Sequence, residues 1–441
     1  MHKYAYSSPT DGTYFIDGKV FSAGEDFRTS VRYAEYKNAG FDTLLLQGND
    51  PYSGEDWETS QTKRNMDEAT KAGINRIVVF DKRIHDLSAT PNGLIGSDKP
   101  FKDEESLVSY LAECLKDYSK RPSFIGVMLM DEPSYEYFDS IGQVERCLEK
   151  LIPGIYIQCN LLPVYGDAKR LSPKEGIGKA EAYRDYLETF CLKTPHEVLT
   201  MDSYPIRREI CGDFIINNHF TSYQMIADVA KKYGRKSAFV LQSTAMLVDG
   251  KDKFRPINGR TLEYQYGAAL CFAPSEISYF TYWAKQKNLS KGESFPDGTA
   301  FISRNGQRTA LYEEAKAMHA SYKGIETFLE PCSYCASKVI NSPLKGDCLD
   351  EEVDIEVKTS APLLITKLVN GSSNVYCLMN LNDPDEKGAT EDATILLPQP
   401  AKTIRLLSRN GEETLLDRQI IRVSLSSGRP LFLEIKNENN A

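Results

Sequence analysis

The sequence predicts a (β/α)8 barrel followed by a small C-terminal antiparallel β-sandwich-like domain. Three observations lead there. An amphipathic helix followed by a short apolar run recurs through the first 335 residues; those apolar runs lack polar alternation; and beyond about residue 335 the texture changes to short alternating strands. The division is 1–335 for the barrel, the expected catalytic domain, and 336–441 for the all-β domain. A chain of 441 residues, 41% hydrophobic and 26% charged, is long enough to hold both.

The repeating unit is clearest in residues 33–50, YAEYKNAGFDTLLLQGND, and 66–83, MDEATKAGINRIVVFDKR. Each has a helical stretch, an Ala-Gly stop at Gly40 or Gly73, then a buried-strand run. Glycine just past a helix supplies the left-handed cap conformation. Unalternated runs such as LLL and IVVF are what parallel strands covered on both faces require. KYAYSSP is the first-strand candidate, before a helix near 27–38. Helices near 104–119, 137–151, 178–191, 221–233 and 260–272 then lead to FIGVMLM, IYIQCN, HEVLTMD, SAFVLQS and ISYFTYW, and a last helix falls near 307–322. A doubly wound open sheet is the competing architecture, but no glycine-rich phosphate turn follows any strand. After residue 335, EVDIEVK, APLLITKLV, NVYCLMNL, DATILLP, TIRLLS and RPLFLEI read as short strands between Gly, Asn, Asp and Pro clusters.

Charge and composition exclude several classes of function. A net charge of −9 with no long Lys/Arg block lacks the electrostatic footprint of a nucleic-acid or acidic-membrane partner. No segment approaches the ~18 apolar residues of a membrane span. MHKYAYSSPTDG has no apolar h-region, so a cytoplasmic location is expected unless a signal has been removed. The ten cysteines are scattered, and Cys114, Cys147, Cys159 and Cys271 sit inside apolar patterns, as reduced buried thiols do. Cys332 and Cys335 form a CxxC, but Cys348 and Cys377 downstream do not repeat it. No metal and no cofactor is therefore expected.

In such a barrel the site lies at the C-terminal ends of the strands. The strand ends present Gln47, Asn49 and Asp50; Asp81, Arg83 and His85; Asp131 and Glu132; Asn160; Asp202 and Tyr204; Gln242; and Trp283. Acids and amides hydrogen-bond hydroxyls, and aromatic faces stack on sugar C–H surfaces, so the set suits a neutral polyhydroxylated ligand. Several have bland alternatives: Asp50 and Asp131 suit turn or helix caps, and Asn160 and Tyr204 could merely satisfy strand-end backbone groups. Glu132 stands between an apolar strand and Pro133, where a carboxylate is costly unless paired and its pKa is pushed towards that of a general acid.

The order of these residues resembles the (β/α)8 glycoside hydrolases of the clan that includes β-galactosidases and cellulases. Asp131-Glu132-Pro133 resembles the clan's Asn-Glu-Pro-like motif at the end of strand 4, Tyr204 in MDSYP its aromatic after strand 6, and Trp283 in FTYW its strand-8 tryptophan. The resemblance covers the barrel and implies a glycoside or oligosaccharide substrate with Glu132 as proton donor. Two departures stand out. Asp131 replaces the asparagine, and Gln242 occupies the strand-7 position where the clan keeps its nucleophilic glutamate. Glu276 precedes strand 8 and belongs at the opposite end of the barrel. Three accounts remain open: an inverting or atypical hydrolase, a carbohydrate-binding pseudoenzyme, and a barrel of another sugar-transforming class. In the first, Glu132 donates a proton and Asp202 or Asp131 activates water. Inversion needs carboxyls ~6.5–9.5 Å apart, and Asp202, two strands away, is the better base. Strand alternation turns Asp131 aside, leaving it a substrate contact beside Gln47, Asn49, Asp81, Arg83, Asn160, Tyr204, Gln242 and Trp283.

Overall fold

The computed structural model describes residues 1–16, 19–46, 52–207, 215–284, 292–342, 349–385 and 390–436. Eight parallel strands form one sheet: His2–Ala5, Leu44–Leu46, Ile77–Val79, Phe124–Asp131, Tyr156–Leu161, Val198–Asp202, Lys236–Gln242 and Glu276–Phe280, called strands 1 to 8. Strand 1 pairs with strand 8, and every other strand pairs with its sequence neighbour down to strand 2. The Asp42 and Thr43 N–H groups donate to Lys3 O at 3.0 and 3.2 Å, joining the two ends of the sheet and closing it into a barrel.

Helices Ser30–Asn38, Gln61–Lys71, Glu104–Leu115, Phe138–Leu151, Lys179–Lys193, Thr221–Tyr233, Gly259–Leu270 and Ala310–Leu329 alternate with the strands. Their starts follow local chemistry. Asp103 and Asn258 form capping boxes with Ser106 and Thr261, and Ser60 accepts from Lys63 N–H. Gly40 and Gly73 hold φ of 100° and 79°, the left-handed stops read from the sequence. The last helix runs to Leu329, seven residues beyond the sequence expectation, because Ile325 and Leu329 continue its buried stripe.

The barrel interior is more polar than its runs suggest. Tyr156 Oη donates to Glu276 at 2.7 Å, and Gln158 Nε2 donates to Tyr6 Oη at 3.2 Å. Burial pushes the Glu276 carboxyl up, partly offset by that tyrosine. Glu276 thus opens strand 8, at the face opposite the strand ends that matter here.

Strand 4 carries a local feature that shapes the site. Its register with strand 5 slips between Met128 and Met130, so Leu129 is a bulge residue. Met128 packs inside the barrel, whereas Leu129 and Met130 both face the surrounding helices. Asp131 is thereby opposite Asn160. The Leu129 carbonyl, displaced from the ladder, lies 2.8 Å from His85 Nδ1, which must then carry the proton. Gly126 allows the close approach below the bulge, where a Cβ would sit 1.7 Å from Tyr156 O.

The C-terminal domain is one antiparallel sheet ordered Ser333–Ile340, Leu363–Asn370, Ser373–Asn380, Leu431–Ile435, Thr390–Ser408 and Glu356–Lys358, with Gly411–Ser426 paired to Thr390–Ser408. The runs DATILLP and TIRLLS are one strand, broken in register between Leu396 and Ala401, where Pro398 and Pro400 supply no donor. Strand Gly411–Ser426 went unread in the sequence because most of it is exposed and carries no apolar alternation. The sheet has its own core around Ile365, Ile395 and Leu433. Its other face, including Leu364, Leu368 and Cys377, joins the core of the barrel.

Candidate active site

Three carboxylates meet at the C-terminal mouth. Asn160, at the end of strand 5 and 3% exposed, donates through one Nδ2 to Asp131 Oδ1 at 2.9 Å and to Asp202 Oδ1 at 3.2 Å. One amide group therefore binds an acid from strand 4 and an acid from strand 6. Its Oδ1 is buried without a hydrogen-bond partner, leaving an acceptor among carboxylates for a hydroxyl donor. Asp131 is brought here by the Leu129 bulge, which reverses the expectation that it points elsewhere.

Glu132 leaves the strand in the left-handed region, φ 50°, while its N–H still donates to Asn160 O at 2.7 Å. This turn brings the adjacent acid to the same mouth instead of the opposite face. The Glu132 side chain is 39% exposed and faces Arg170, whose Nη1 is 3.9 Å from Oε2. Arg170 also donates to the Glu132 carbonyl. Tyr186 Oη donates to Pro133 O at 2.7 Å, fixing the residue that follows.

Asp202 is the buried member, 6% exposed. Burial raises its pKa well above the usual carboxylate range, and the charges of Glu132 and then Asp131 add to the rise. Hydrogen bonds from Asn160 and Tyr204 oppose it. The cluster is thus electrostatically frustrated, and burial with the neighbouring charges favours the protonated form of Asp202.

An aromatic wall stands beside the acids. Tyr204 packs against Phe254 and Phe280 at 5.4 and 5.8 Å between ring centroids, and Tyr6 lies 6.3 Å from Phe280. Burial, then the charges of Tyr4 and Asp131, push the Tyr6 hydroxyl upward, so it stays protonated and able to donate. Arg207 stacks against Tyr165 and Phe254 on the same side.

The other sequence candidates are placed differently. Asp81 is fully buried, accepts from Arg83 N, Nε and Nη2 and from Tyr118 Oη at 2.8 Å, and caps the helix Lys82–Ser88. Arg83 also donates to Cys114 O. The pair ties strand 3 to the next helix. Gln242, 1% exposed, donates through Nε2 to Ile206 O, Thr244 O and Arg255 O and accepts from Ile206 N–H, all at 3.2 Å. Its amide holds backbone, not an open cleft. Trp283 is 2% exposed and packs on Phe27 at 4.9 Å; Phe280 is the strand-8 aromatic that packs on Tyr204. Gln47, Asn49 and Asp50 lie outside the described residues.

Sequence reasoning missed Tyr6, Arg170 and Arg207. The alternation of Tyr4 and Tyr6 in KYAYSSP was the available signal for the first; the arginines lie in loops that carry none. Among the described residues no group of three His, Cys, Asp or Glu side chains is arranged to hold a metal. No helix there is long and apolar enough to cross a membrane.

No family model matches the sequence, and no curated protein matches it. Among solved structures the chain is similar to an Anoxybacillus α-amylase described as a new glycosyl hydrolase subclass, at 9% identity and TM-score 0.47, covering 93% of this chain and 90% of that one. It is similar to an α-L-arabinofuranosidase from Thermotoga maritima at 9% identity and TM-score 0.44, covering 99% and 96%. A Paenibacillus polymyxa xyloglucanase of glycoside hydrolase family 44 gives 9% and 0.42, covering 98% and 96%. Likeness at this level carries no argument, and function rests on the chemistry of the site itself.

Proposed function

We propose that the chain binds a carbohydrate at the barrel mouth and hydrolyses a glycosidic bond there, with Glu132 and Asp202 as the two working acids. The observation that carries this reading is the convergence of Asp131, Glu132 and Asp202 around Asn160, beside an aromatic wall. Hydroxyl groups suit the acids and Asn160 Oδ1, and sugar faces suit Tyr204 and Phe280.

The resemblance gives Glu132 the role of proton donor. Burial favours a different division. Asp202 is the acid whose surroundings favour the protonated form, while Glu132 is more exposed and faces Arg170. An acid that keeps its proton can donate it, and a more exposed carboxyl beside an arginine can activate water; these are the two roles of general acid–base hydrolysis. A second reading, binding without cleavage, is favoured by Gln242, since an amide locked to backbone cannot be a glycosyl nucleophile. Inversion through an activated water needs no residue at that position.

The test screens aryl glycosides and oligosaccharides with the wild type, Glu132→Gln and Asp202→Asn. Product formed by the wild type, and lowered at least ~10²-fold in both variants, supports hydrolysis. Sugar binding with no product supports the second reading. In the pH profile of kcat/KM, Asp202→Asn removes the alkaline limb and Glu132→Gln the acid limb; the opposite pattern restores Glu132 as donor.

A further inference from the structure

Cys271 caps the C-terminus of the helix Gly259–Leu270, and Cys377 lies within strand Ser373–Asn380 of the C-terminal sheet. Both are fully buried, and their sulfurs are 2.8 Å apart. Packed carbon atoms settle at about 3.5–4.0 Å, and a disulfide bond is about 2.05 Å long, so the sulfur separation lies between contact and bond. The sulfurs therefore need only a small movement to bond.

The backbones that bring them together are fixed by other contacts. Cys271 N–H donates to Gly267 O at 3.2 Å, and Thr366 Oγ1 donates to Cys271 O at 2.7 Å. Thr366 is in turn the cross-strand partner of Cys377. One threonine thus sets both the barrel residue and its counterpart in the sheet.

We propose that Cys271 and Cys377 form a disulfide that fastens the C-terminal sheet to the barrel. The reaction is thiol–disulfide exchange with a small-molecule disulfide. One cysteine thiolate attacks that oxidant and expels a small thiolate, leaving a mixed disulfide. The second cysteine thiolate then attacks the protein sulfur and expels the other small thiolate. The protein loses two electrons and two thiol protons, and the oxidant leaves as two thiols. Exchange needs a thiolate. Burial, then the hydrogen bond with Cys271, push the Cys377 thiol up in the folded protein, so bonding belongs to folding, before the interface closes.

The bond would span 106 positions and anchor the helix whose Gln265 holds strand 7. Gln265 Oε1 accepts from Gln242 N–H at 2.9 Å and its Nε2 donates to Gln242 O at 3.1 Å.

The experiment refolds the full chain in a mixture of reduced and oxidised glutathione, alkylates it in denaturant, and maps peptides by mass spectrometry. The expected result is a reducible peptide pair joining Cys271 to Cys377, two hydrogens lighter than its parts. Reduction of the linked protein lowers its unfolding midpoint, and Cys271→Ser abolishes both the peptide pair and that redox dependence. Complete alkylation of Cys271 and Cys377 after oxidative refolding overturns the proposal, as does linkage of either to Cys332 or Cys335. A linked protein with an unchanged midpoint on reduction overturns the fastening role. The wild-type map decides the bond even if Cys271→Ser fails to fold.

Discussion

Asp202 sits where a carboxylate is least at ease: enclosed, near two other acids, with Asn160 and Tyr204 giving relief. Such a group works against the stability of the fold. Its folded pKa is raised, so the folded state binds more protons than the unfolded chain from about pH 4, the ordinary carboxylate value, up to the raised one. Stability falls as pH rises through that window and stays low above it. Asp202→Asn removes the penalty while keeping the shape. The variant is expected to unfold at higher temperature than the wild type at pH 8, with the gap closing towards pH 4, while losing turnover. Thermal unfolding across that range checks it, and a gap that is constant with pH would contradict it. Stability gained with activity lost is the signature of an acid kept for function. At this scale the acid pair of Asp131-Glu132-Pro133 was legible at the end of strand 4, because it ends an apolar run just before a proline. The greater burial of Asp202 was hidden, since MDSYP does not reveal how deeply a strand end will be enclosed.

Strands and helices decide which of those residues meet. The order of eight strands and eight helices was legible because Gly40, Gly73 and the capping residues mark helix ends by local rules. The bulge at Leu129 was not, because nothing in FIGVMLMDEPS breaks its apolar run. It exists only in the register between strands 4 and 5, with His85 satisfying the displaced carbonyl. Without the bulge, alternation would turn Asp131 away from Asn160. Strand 7 teaches the converse lesson. Gln242 ends strand 7, where the sequence resemblance led one to expect a nucleophile, and its amide is used up on Ile206, Thr244 and Arg255. Gln242→Glu is therefore not expected to create activity. It would set a carboxylate against three carbonyl oxygens and delete their donor, at a cost of about 2–4 kcal/mol. Chemical denaturation should show that loss. A normally stable variant with increased turnover would show that the clan's nucleophile site is present and vacant.

The whole molecule is a barrel with a sheet pressed against its side, and charge is partly buried where they meet. Asp228, on the helix Thr221–Tyr233, has its pKa raised to about 7 by burial and then by the charge of Glu351, against weaker relief from Arg184 and Lys231. Glu351 belongs to the C-terminal domain and is held in place by Tyr334 Oη and Ser337 N–H, both at 2.7 Å. The second domain was visible in the sequence as a change of texture, but this opposition of acids was not, since 123 positions of chain lie between them. The sign follows from the raised pKa. Between about pH 4 and pH 7 the folded state holds a proton that the unfolded chain gives up. Asp228 therefore costs nothing at pH 4 and its full penalty above pH 7. Asp228→Asn should match the wild type near pH 4 and exceed it in unfolding free energy above pH 7, with the difference growing in between. Glu351→Gln should lower the pKa of Asp228 and move the midpoint of that growth to lower pH in the comparison Glu351→Gln against the double variant. Because Asp202 is unchanged in all these proteins, its own pH dependence cancels in the differences. A benefit independent of pH would assign Asp228 to packing alone. A midpoint unmoved by Glu351→Gln would leave burial as the cause and remove the sheet from the effect.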